Sequence, residues 1–321
     1  MSWFILALIT TISWGCADLF YKKGTDENDP HSHLKIAVWV GLVMGVCAFA
    51  LMPLSETGLT FTALPEYFVK YSPASLAYIL SMVIGYAGMR YLEISIISPI
   101  QNASGALSTV AMAIYFIAVG RISGIMEEFA TLDIIGTVFI VVGFIALSIV
   151  EQRLARAEGD LPKSERKYRF GALALIFPIL YCVFDTIGTA ADGIILDEET
   201  GLGLGEIDVI IVYGLTFLIA GIVAWLYMLI RNKKAYNPFA KGEGSKAIAS
   251  CFEEFGQVFY VYAMAAKPML AAPMIASYCI VSVILSRIFL KEKLEKSQLA
   301  CVIAVIIGIV ILGISEGLAE M

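Results

Sequence analysis

A stretch near the start of the chain is repeated in its second half. Leu6–Phe20 (LALITTISWGCADLF) reappears as Leu173–Ile187 (LALIFPILYCVFDTI), and the repeat places Asp18 opposite Asp185. Both copies are long and apolar and carry a single acidic residue. An internal repeat constrains the architecture of a chain before any local pattern is considered. In a membrane protein it indicates two related halves with a binding site between them.

The composition indicates that the chain lies in a membrane. Of its 321 residues, 59% are hydrophobic and only 16% are charged, and the mean hydropathy is +0.83. A soluble globular domain has about a quarter charged residues. The apolar stretches are long enough to cross the hydrocarbon core as helices. We predict an all-α integral membrane protein with ten transmembrane helices, at residues 3–22, 33–54, 71–92, 94–119, 131–151, 169–192, 207–230, 246–266, 268–290 and 296–316.

Two further matches extend the repeat. Pro99 aligns with Pro273, and Gly143–Glu151 (GFIALSIVE) aligns with Gly308–Glu316 (GIVILGISE). Because each half holds five predicted helices, an odd number, the second half must cross the membrane in the opposite direction to the first, as an inverted repeat. The predicted units are a first five-helix repeat at 1–152, a charged linker at 153–168 and a second five-helix repeat at 169–321.

The basic residues predict the orientation in the membrane. Of the 22 Lys and Arg residues, all except Lys70, Arg121 and Lys267 fall on the side that carries the linker between the halves. The positive-inside rule makes this side cytoplasmic and places both termini outside. We therefore predict a multi-pass protein of the plasma membrane, in which a cysteine introduced at Lys163 is labelled only from the cytoplasm.

Other classes of function find little support in the sequence. The six cysteines lie in apolar stretches without CxxC spacing, which indicates neither disulfides nor a zinc site. The chain has no P-loop or HExxH pattern and no basic patch for nucleic acid. His31 and His33 lie near acidic residues, but a solvated loop explains them. We predict no enzyme activity, no metal and no cofactor; the alternative is a polytopic membrane enzyme that acts on a lipid or lipid-linked substrate.

The five-plus-five repeat and the early segment SWGCADLFYKK resemble the drug/metabolite transporter superfamily in its ten-helix EamA-type form. In each half, a segment that carries Glu leads into a Gly-rich last helix, at Met126–Gly136 and Leu290–Gly308. The resemblance implies a carrier that works by alternating access, with a central cavity between the repeats. Members of this family are usually described with cytoplasmic termini, whereas the basic residues here place the termini outside.

Ionisable residues inside a span are costly and therefore point to function. Glu253, Gln257 and Tyr260 recur at i, i+4 and i+7, on one face of helix 8. We predict that Glu253 binds a cation or takes up a proton, with Gln257 and Tyr260 as hydrogen-bonding neighbours. The alternative is that Glu253 and Glu254 lie near the cytoplasmic headgroups and pair with lysines such as Lys246.

The two acids related by the repeat lead to different expectations. Asp18 can reach Lys22 at i+4 near the cytoplasmic end of helix 1, which favours an exposed ion pair. Asp185 has no basic residue nearby in the sequence. We therefore assign Asp185 to the predicted cavity, with a structural hydrogen bond to a neighbouring helix as the alternative.

Aromatic and polar residues supply the rest of the predicted site. Trp14 and Tyr181 occupy equivalent positions inside helices 1 and 6, where they either line a cavity or pack the bundle, and Tyr86 aligns with Tyr260. Each of two matched prolines removes a backbone donor from its helix, and matched breaks indicate a transporter site. The breaks are placed at Pro99 and Pro273, and the site residues that follow them are Gln101, Asn102 and Ser277.

Helix 2 carries the spacing Gly41-xxx-Gly45, which predicts a close helix crossing either within the chain or in a homodimer. The other predicted partners are a small-molecule substrate and membrane lipid. A cavity of carboxylates, amides and aromatic rings suits a small amine, an amino acid or another polar metabolite. It suits an anion poorly, because no basic residue lies deep in a predicted span.

Overall fold

The computed structural model describes residues 1–55, 57–157, 172–291 and 295–319. This part of the chain consists of helices joined by short connections. A 3-10 turn, Ala172–Leu175, leads into α7, and a π-helical turn, Ser286–Leu290, follows α11. The helices are α1 (Trp3–Gly24), α2 (Ser32–Leu51), α3 (Leu64–Gly88), α4 (Ile94–Gln101), α5 (Ser104–Ala118), α6 (Thr131–Ala157), α7 (Ile176–Ile195), α8 (Glu206–Asn232), α9 (Gly244–Ala266), α10 (Pro268–Ala276), α11 (Tyr278–Leu285) and α12 (Lys296–Ala319).

Eight helical segments of the described chain are long and apolar enough to cross a membrane. The broken helices α4–α5 and α10–α11 each make up one of these segments. The chain is therefore a multi-pass membrane protein. The other two predicted spans correspond to α6 and α9. The apolar part of α6, Thr131–Leu147, is shorter, and α9 is a continuous helix that carries Glu253, Glu254 and Gln257 among its apolar residues. The count of ten spans remains a prediction.

Two predicted boundaries differ from the structure. Helix α3 begins at Leu64 rather than at residue 71. Pro65 is favourable in the first turn of a helix, whereas Glu66 and Lys70 make the first two turns polar and lower their hydropathy. The predicted linker at 153–168 begins inside a helix, since α6 runs to Ala157. The rest of that linker, with Lys163, lies outside the described residues.

The fourth and ninth predicted spans are each interrupted about one turn after a proline. Pro99 lies in α4, which ends at Gln101, and α5 begins at Ser104. Pro273 lies in α10, which ends at Ala276, and α11 begins at Tyr278. The interruptions bring irregular backbone to the centre of the bundle, where the cavity described below is found.

Helices of the first half pack mainly on helices of the second. The principal pairs are α1 with α9, α2 with α8, α3 with α7 and α6 with α12, and α4 and α5 pack on α11 and α10. The core of the bundle therefore lies along the seam between the halves. Any cavity along this seam receives side chains from both halves.

The two glycines of helix 2 serve the crossing of α2 and α8. A Cβ atom on Gly41 would lie 2.4 Å from the backbone oxygen of Phe217, and one on Gly45 would lie 2.9 Å from the side chain of Leu218. The Cα of Gly41 also approaches Gly221 on α8. Of the two predicted uses of this spacing, the structure places the glycine pair in a crossing within the chain.

Candidate functional site

A cavity lies on the seam between the halves, near the centre of the bundle. Its volume of about 40 Å³ is room for about three water molecules. The wall comes from α1, α3, α4, α7, α8, α9 and α11, so both halves contribute. The lining residues are Trp14, Asp18, Tyr21, Tyr78, Met82, Gly85, Tyr86, Met89, Gln101, Tyr181, Asp185, Tyr213, Glu253 and Tyr278.

Three carboxyl groups share this small space. Asp18 accepts hydrogen bonds from Ser98 Oγ at 3.0 Å and from Ser282 Oγ at 2.7 Å, so one residue of each half holds it. Asp185 accepts a hydrogen bond from Ser104 Oγ at 2.6 Å.

Glu253 is the third carboxyl group, and it interacts electrostatically with Asp18 and Asp185. No lysine, arginine or histidine is among the lining residues. The described wall of the cavity is therefore acidic, with no fixed positive charge to balance it.

Aromatic rings form much of the remaining wall. Trp14 stacks on Tyr260 with ring centroids 5.2 Å apart and meets Tyr278 edge-on at 5.8 Å. The indole lies directly on α9, where a Cβ on Gly256 would come within 2.5 Å of the ring. Glycine at this position lets Trp14 approach the backbone of α9, and its Nε1 donates a hydrogen bond to the backbone oxygen of Glu253 at 3.1 Å.

Some polar groups in the wall are available to a ligand. The hydroxyl groups of Tyr21 and Tyr86 and the side-chain nitrogen of Gln101 are buried and have no hydrogen-bond partner among the described residues. The rings of Tyr21 and Tyr86 lie 4.8 Å apart, so their hydroxyl groups belong to one region of the wall. Buried polar groups are normally hydrogen-bonded in folded proteins. These atoms can therefore bond to a solute or to water in the cavity.

A second, smaller chamber adjoins the central cavity. Five residues line both spaces and form a layer between them: Trp14, Tyr78, Tyr181, Asp185 and Tyr278. The central cavity extends towards the C-terminal ends of α1 and α3, whereas the second chamber is bordered by α5, α9 and α10. The other lining residues of the second chamber are Asn102, Ser104, Gly105, Thr189, Tyr260, Ala272, Ile275 and Ala276.

The structure brings most of the predicted site residues together. The central cavity is lined by Glu253, Asp185, Trp14, Tyr181, Tyr86 and Gln101, and the second chamber by Tyr260 and Asn102. Gln257 and Ser277 line neither space. Gln257 is 1% exposed, and Ser277 Oγ donates to the backbone oxygen of Met274 at 2.5 Å.

Asp18 is placed differently from the expectation of an exposed ion pair. It is only 8% exposed and faces the cavity. Lys22 instead donates from Nζ to the backbone oxygens of Met89 and Leu92, at 2.6 and 2.9 Å, beyond the end of α3. The repeat relation between Asp18 and Asp185 was the sequence signal that could have assigned both to the cavity.

Tyr78 on α3 and Tyr213 on α8 were missed by sequence reasoning. Tyr78 and Tyr213 line the central cavity, but neither lies beside an acidic residue or a proline in the sequence. With 15 tyrosines in the chain, their residue type alone carries little information. Within the part of the chain that the structure describes, no group of three or more His, Cys, Asp or Glu side chains is arranged to hold a metal ion.

The fold and the cavity define a helical, multi-pass membrane protein with a buried polar site between its halves. Residues 200–314 match the model of the EamA-like transporter family. This match lies within the second half of the chain and confirms the resemblance seen in the sequence. It suggests a membrane transporter of the drug/metabolite transporter type.

A solved structure supports the fold along the whole chain. A crystal structure of another protein aligns with 99% of this chain and with 98% of its own chain, with a TM-score of 0.61 and 12% sequence identity. At this identity the similarity concerns the fold alone. By sequence, no curated protein matches the chain.

Proposed function

We propose that the chain is a gradient-driven secondary transporter of the plasma membrane that carries a small, amphipathic organic cation by alternating access. The observation that carries this proposal is the composition of the central cavity. Asp18, Asp185 and Glu253 face a space walled by aromatic rings, and no basic side chain is among the residues that line it. A positively charged solute is the ligand that such a wall stabilises most.

Two physical terms favour an organic cation over a neutral or anionic solute. Carboxylates that share a poorly hydrated space repel one another, and a bound positive charge relieves this repulsion. The faces of Trp and Tyr rings attract a cation by about 0.5–2 kcal/mol each, more strongly when water is excluded. Amines with small apolar substituents satisfy both the carboxylates and the rings.

The helix contacts support an inverted repeat. Exchanging the two halves exchanges the pair α1–α9 with α7–α3, and the pair α4–α11 with α10–α5, and all four pairs are in contact. The pairs α2–α8 and α6–α12 are mapped onto themselves. A carrier with this symmetry can open its cavity to either side by an exchange of equivalent arrangements.

The layer between the two chambers offers a means of closure. Its residues come from α1, α3, α7 and α11, so rocking of one half against the other changes their spacing. We infer that the central cavity and the second chamber are the two sides of one pathway. In this proposal the solute is bound against Trp14, Tyr181 and Asp185 at the layer itself.

Counterflow in proteoliposomes tests the proposal. Tetramethylammonium is a suitable probe because it is permanently charged and does not cross lipid by itself or respond to pH. We expect labelled tetramethylammonium to enter vesicles that are preloaded with the unlabelled cation and contain the wild-type protein. We also expect Asp185→Asn to reduce this entry at least about tenfold.

A matched control is Asp197→Asn, since Asp197 is a buried acid of the connection after α7 that lines neither chamber. Cations, amino acids and sugars should be screened in parallel by thermal shift. Binding of sugars or anions without any binding of cations would overturn the proposed substrate class. Turnover of a lipid in the vesicles, without counterflow, would instead favour the membrane enzyme.

A further inference from the structure

A fourth buried acid, Asp192, lies outside both chambers. It is fully buried and follows Asp185 by two turns of α7, which places both side chains on nearly the same face of the helix. It lines neither the central cavity nor the second chamber. Its burial is not explained by contact with a solute in either space.

The bonding of Asp192 is incomplete. Its Oδ1 accepts a hydrogen bond from the hydroxyl of Tyr71 on α3 at 2.6 Å, whereas its Oδ2 has no partner among the described residues. None of the hydrogen bonds and ion pairs found in the described residues joins Asp192 to a basic side chain. A buried polar atom without a partner is costly and calls for a functional explanation.

The titratable groups that face Asp192 are tyrosines. They are Tyr71 and Tyr78 from α3, Tyr213 from α8 and Tyr260 from α9, each of which interacts electrostatically with the carboxyl group. On its own helix, the nearest acid towards the cavity is Asp185. Asp192 therefore lies among hydroxyl groups, which can pass or accept protons but carry no compensating positive charge.

Two of the tyrosines that face Asp192 are hydrogen-bonded to each other and reach the two chambers. The hydroxyl groups of Tyr78 and Tyr260 are hydrogen-bonded to each other at 2.5 Å, and Tyr78 donates to Thr189 Oγ1 at 3.2 Å. Thr189 lines the second chamber and Tyr78 lines both spaces. Asp192 is thus next to the pathway without being exposed to a solute in it.

The other end of the region lies near a surface groove. Helix α7 ends at Ile195, less than one turn after Asp192, and the groove at this end is lined by residues that include Ile195, Asp197, Glu198 and Glu206. Its volume of about 500 Å³ admits many water molecules. Water, and with it protons, can therefore come within one helical turn of Asp192.

We propose that Asp192 is the proton-binding site that couples transport to a proton gradient, separate from the carboxyl groups that hold the solute. This inference rests on the transport function proposed above. In one conformation of the carrier a proton from water binds the free Oδ2 and forms an O–H bond, and in the other conformation the same bond breaks and the proton returns to water. A metal ion is a poor alternative, because Asp192 borders neither chamber and a proton needs no cavity.

The hydrogen bond between Tyr71 and Asp192 links protonation of Asp192 to the packing of the two halves. Tyr71 belongs to the first half and Asp192 to the second, and α3 and α7 are a principal contact between the halves. A phenol donates a stronger hydrogen bond to an ionised carboxylate than to a neutral carboxyl group. Protonation of Asp192 therefore weakens this contact across the seam, and loss of the proton strengthens it.

Asp192→Asn tests the assignment, because Asn keeps the shape and an acceptor oxygen but cannot take up a proton. In proteoliposomes we expect this variant to keep tetramethylammonium counterflow within about twofold of the wild type. We expect accumulation driven by an imposed pH gradient to fall at least about tenfold. The matched control is Asp208→Asn, since Asp208 is equally buried but lines neither chamber and accepts hydrogen bonds from Ser55 Oγ and the backbone nitrogen of Thr57.

A second readout does not depend on the solute. Infrared difference spectra between acid and alkaline buffer should contain a carboxyl C=O band in the wild type that is absent from Asp192→Asn. Tyr71→Phe removes the hydrogen bond that Tyr71 donates to Asp192 and should move the pH dependence of this band by about one pH unit. It also serves as the test should Asp192→Asn fail to fold.

The outcomes separate this inference from the transport function. Absence of counterflow in the wild type would overturn the proposed function, and the infrared band would still decide whether Asp192 binds a proton. Gradient-driven accumulation by Asp192→Asn at the wild-type rate would overturn the coupling role. A carboxyl band that is unchanged in Asp192→Asn would overturn proton binding at this residue.

Discussion

The indole of Trp14 on α1 is hydrogen-bonded to the backbone oxygen of Glu253 on α9, with 3.1 Å between Nε1 and the oxygen. The same ring stacks on Tyr260, which lies two turns further along α9. A single side chain of the first half is thereby fixed against the segment of the second half that supplies an acid to the cavity. The position of the Trp14 ring and the position of Glu253 are therefore coupled.

Substitution of Trp14 should separate its two roles. Trp14→Ala removes both the ring and its hydrogen bond, and we expect the dissociation constant for tetramethylammonium to rise about tenfold through loss of the cation–π attraction. Trp14→Phe keeps an aromatic face but loses the hydrogen bond to Glu253, so most of the affinity should remain. Titration of the purified variants by calorimetry measures both. Equal affinities of Trp14→Ala and the wild type would remove Trp14 from the binding site.

The adjacent acids Glu253 and Glu254 provide a second matched comparison. Glu253 lines the central cavity, whereas Glu254 is 7% exposed and does not line it. Glu253→Gln should lower the affinity for tetramethylammonium at least about tenfold, because a charge is lost from a poorly hydrated space. Glu254→Gln should bind as the wild type does. The assignment would fail if the two variants were affected alike in the same titration.

The membrane-spanning helices could be predicted largely from hydropathy, because burial in lipid requires long apolar stretches whatever helices they pack on. The start of α3 could not be predicted in this way. Its first turns carry Glu66 and Lys70, which form an exposed i,i+4 ion pair at 2.8 Å and lower the local hydropathy without ending the helix. Hydropathy indicates which residues lie in lipid, and it does not indicate where a helix begins. A helix end that extends beyond the lipid is polar and is therefore missed.

The site was predictable where its signal lay within one helix or in the repeat. The repeat and the matched prolines drew attention to Asp185, Trp14 and Gln101, which all line the central cavity. The i,i+4 spacing misplaced Asp18 beside Lys22, since its bonds go to Ser98 and Ser282 on other helices. Such partners are set by tertiary packing, which the spacing of residues along one helix does not contain.

The interruptions after Pro99 and Pro273 should matter for the rate of transport more than for binding. Replacing either proline by Ala restores a backbone donor and favours a continuous helix. We expect Pro99→Ala and Pro273→Ala to slow counterflow about tenfold while the dissociation constant for tetramethylammonium changes less than about threefold. Pro178→Ala is the control, because Pro178 lies in the first turn of α7 and interrupts no helix. Counterflow at the wild-type rate in both variants would show that the interruptions play no part in the transport cycle.

The crossing of α2 and α8 should depend on the absence of a side chain at Gly41. In Gly41→Ala the added Cβ would meet the backbone oxygen of Phe217 at 2.4 Å, and backbone cannot move aside as a flexible side chain can. The two helices must therefore separate, at a cost of about 1–3 kcal/mol in the free energy of unfolding. Gly244→Ala is the matched control, since a Cβ at Gly244 meets no atom within 4 Å. We expect a lower thermal transition in detergent for Gly41→Ala alone. The contrary result is a thermal transition of Gly41→Ala at the wild-type temperature together with a changed oligomeric state in light scattering. The glycine pair would then belong to an interface between two copies of the chain and not to the crossing within one.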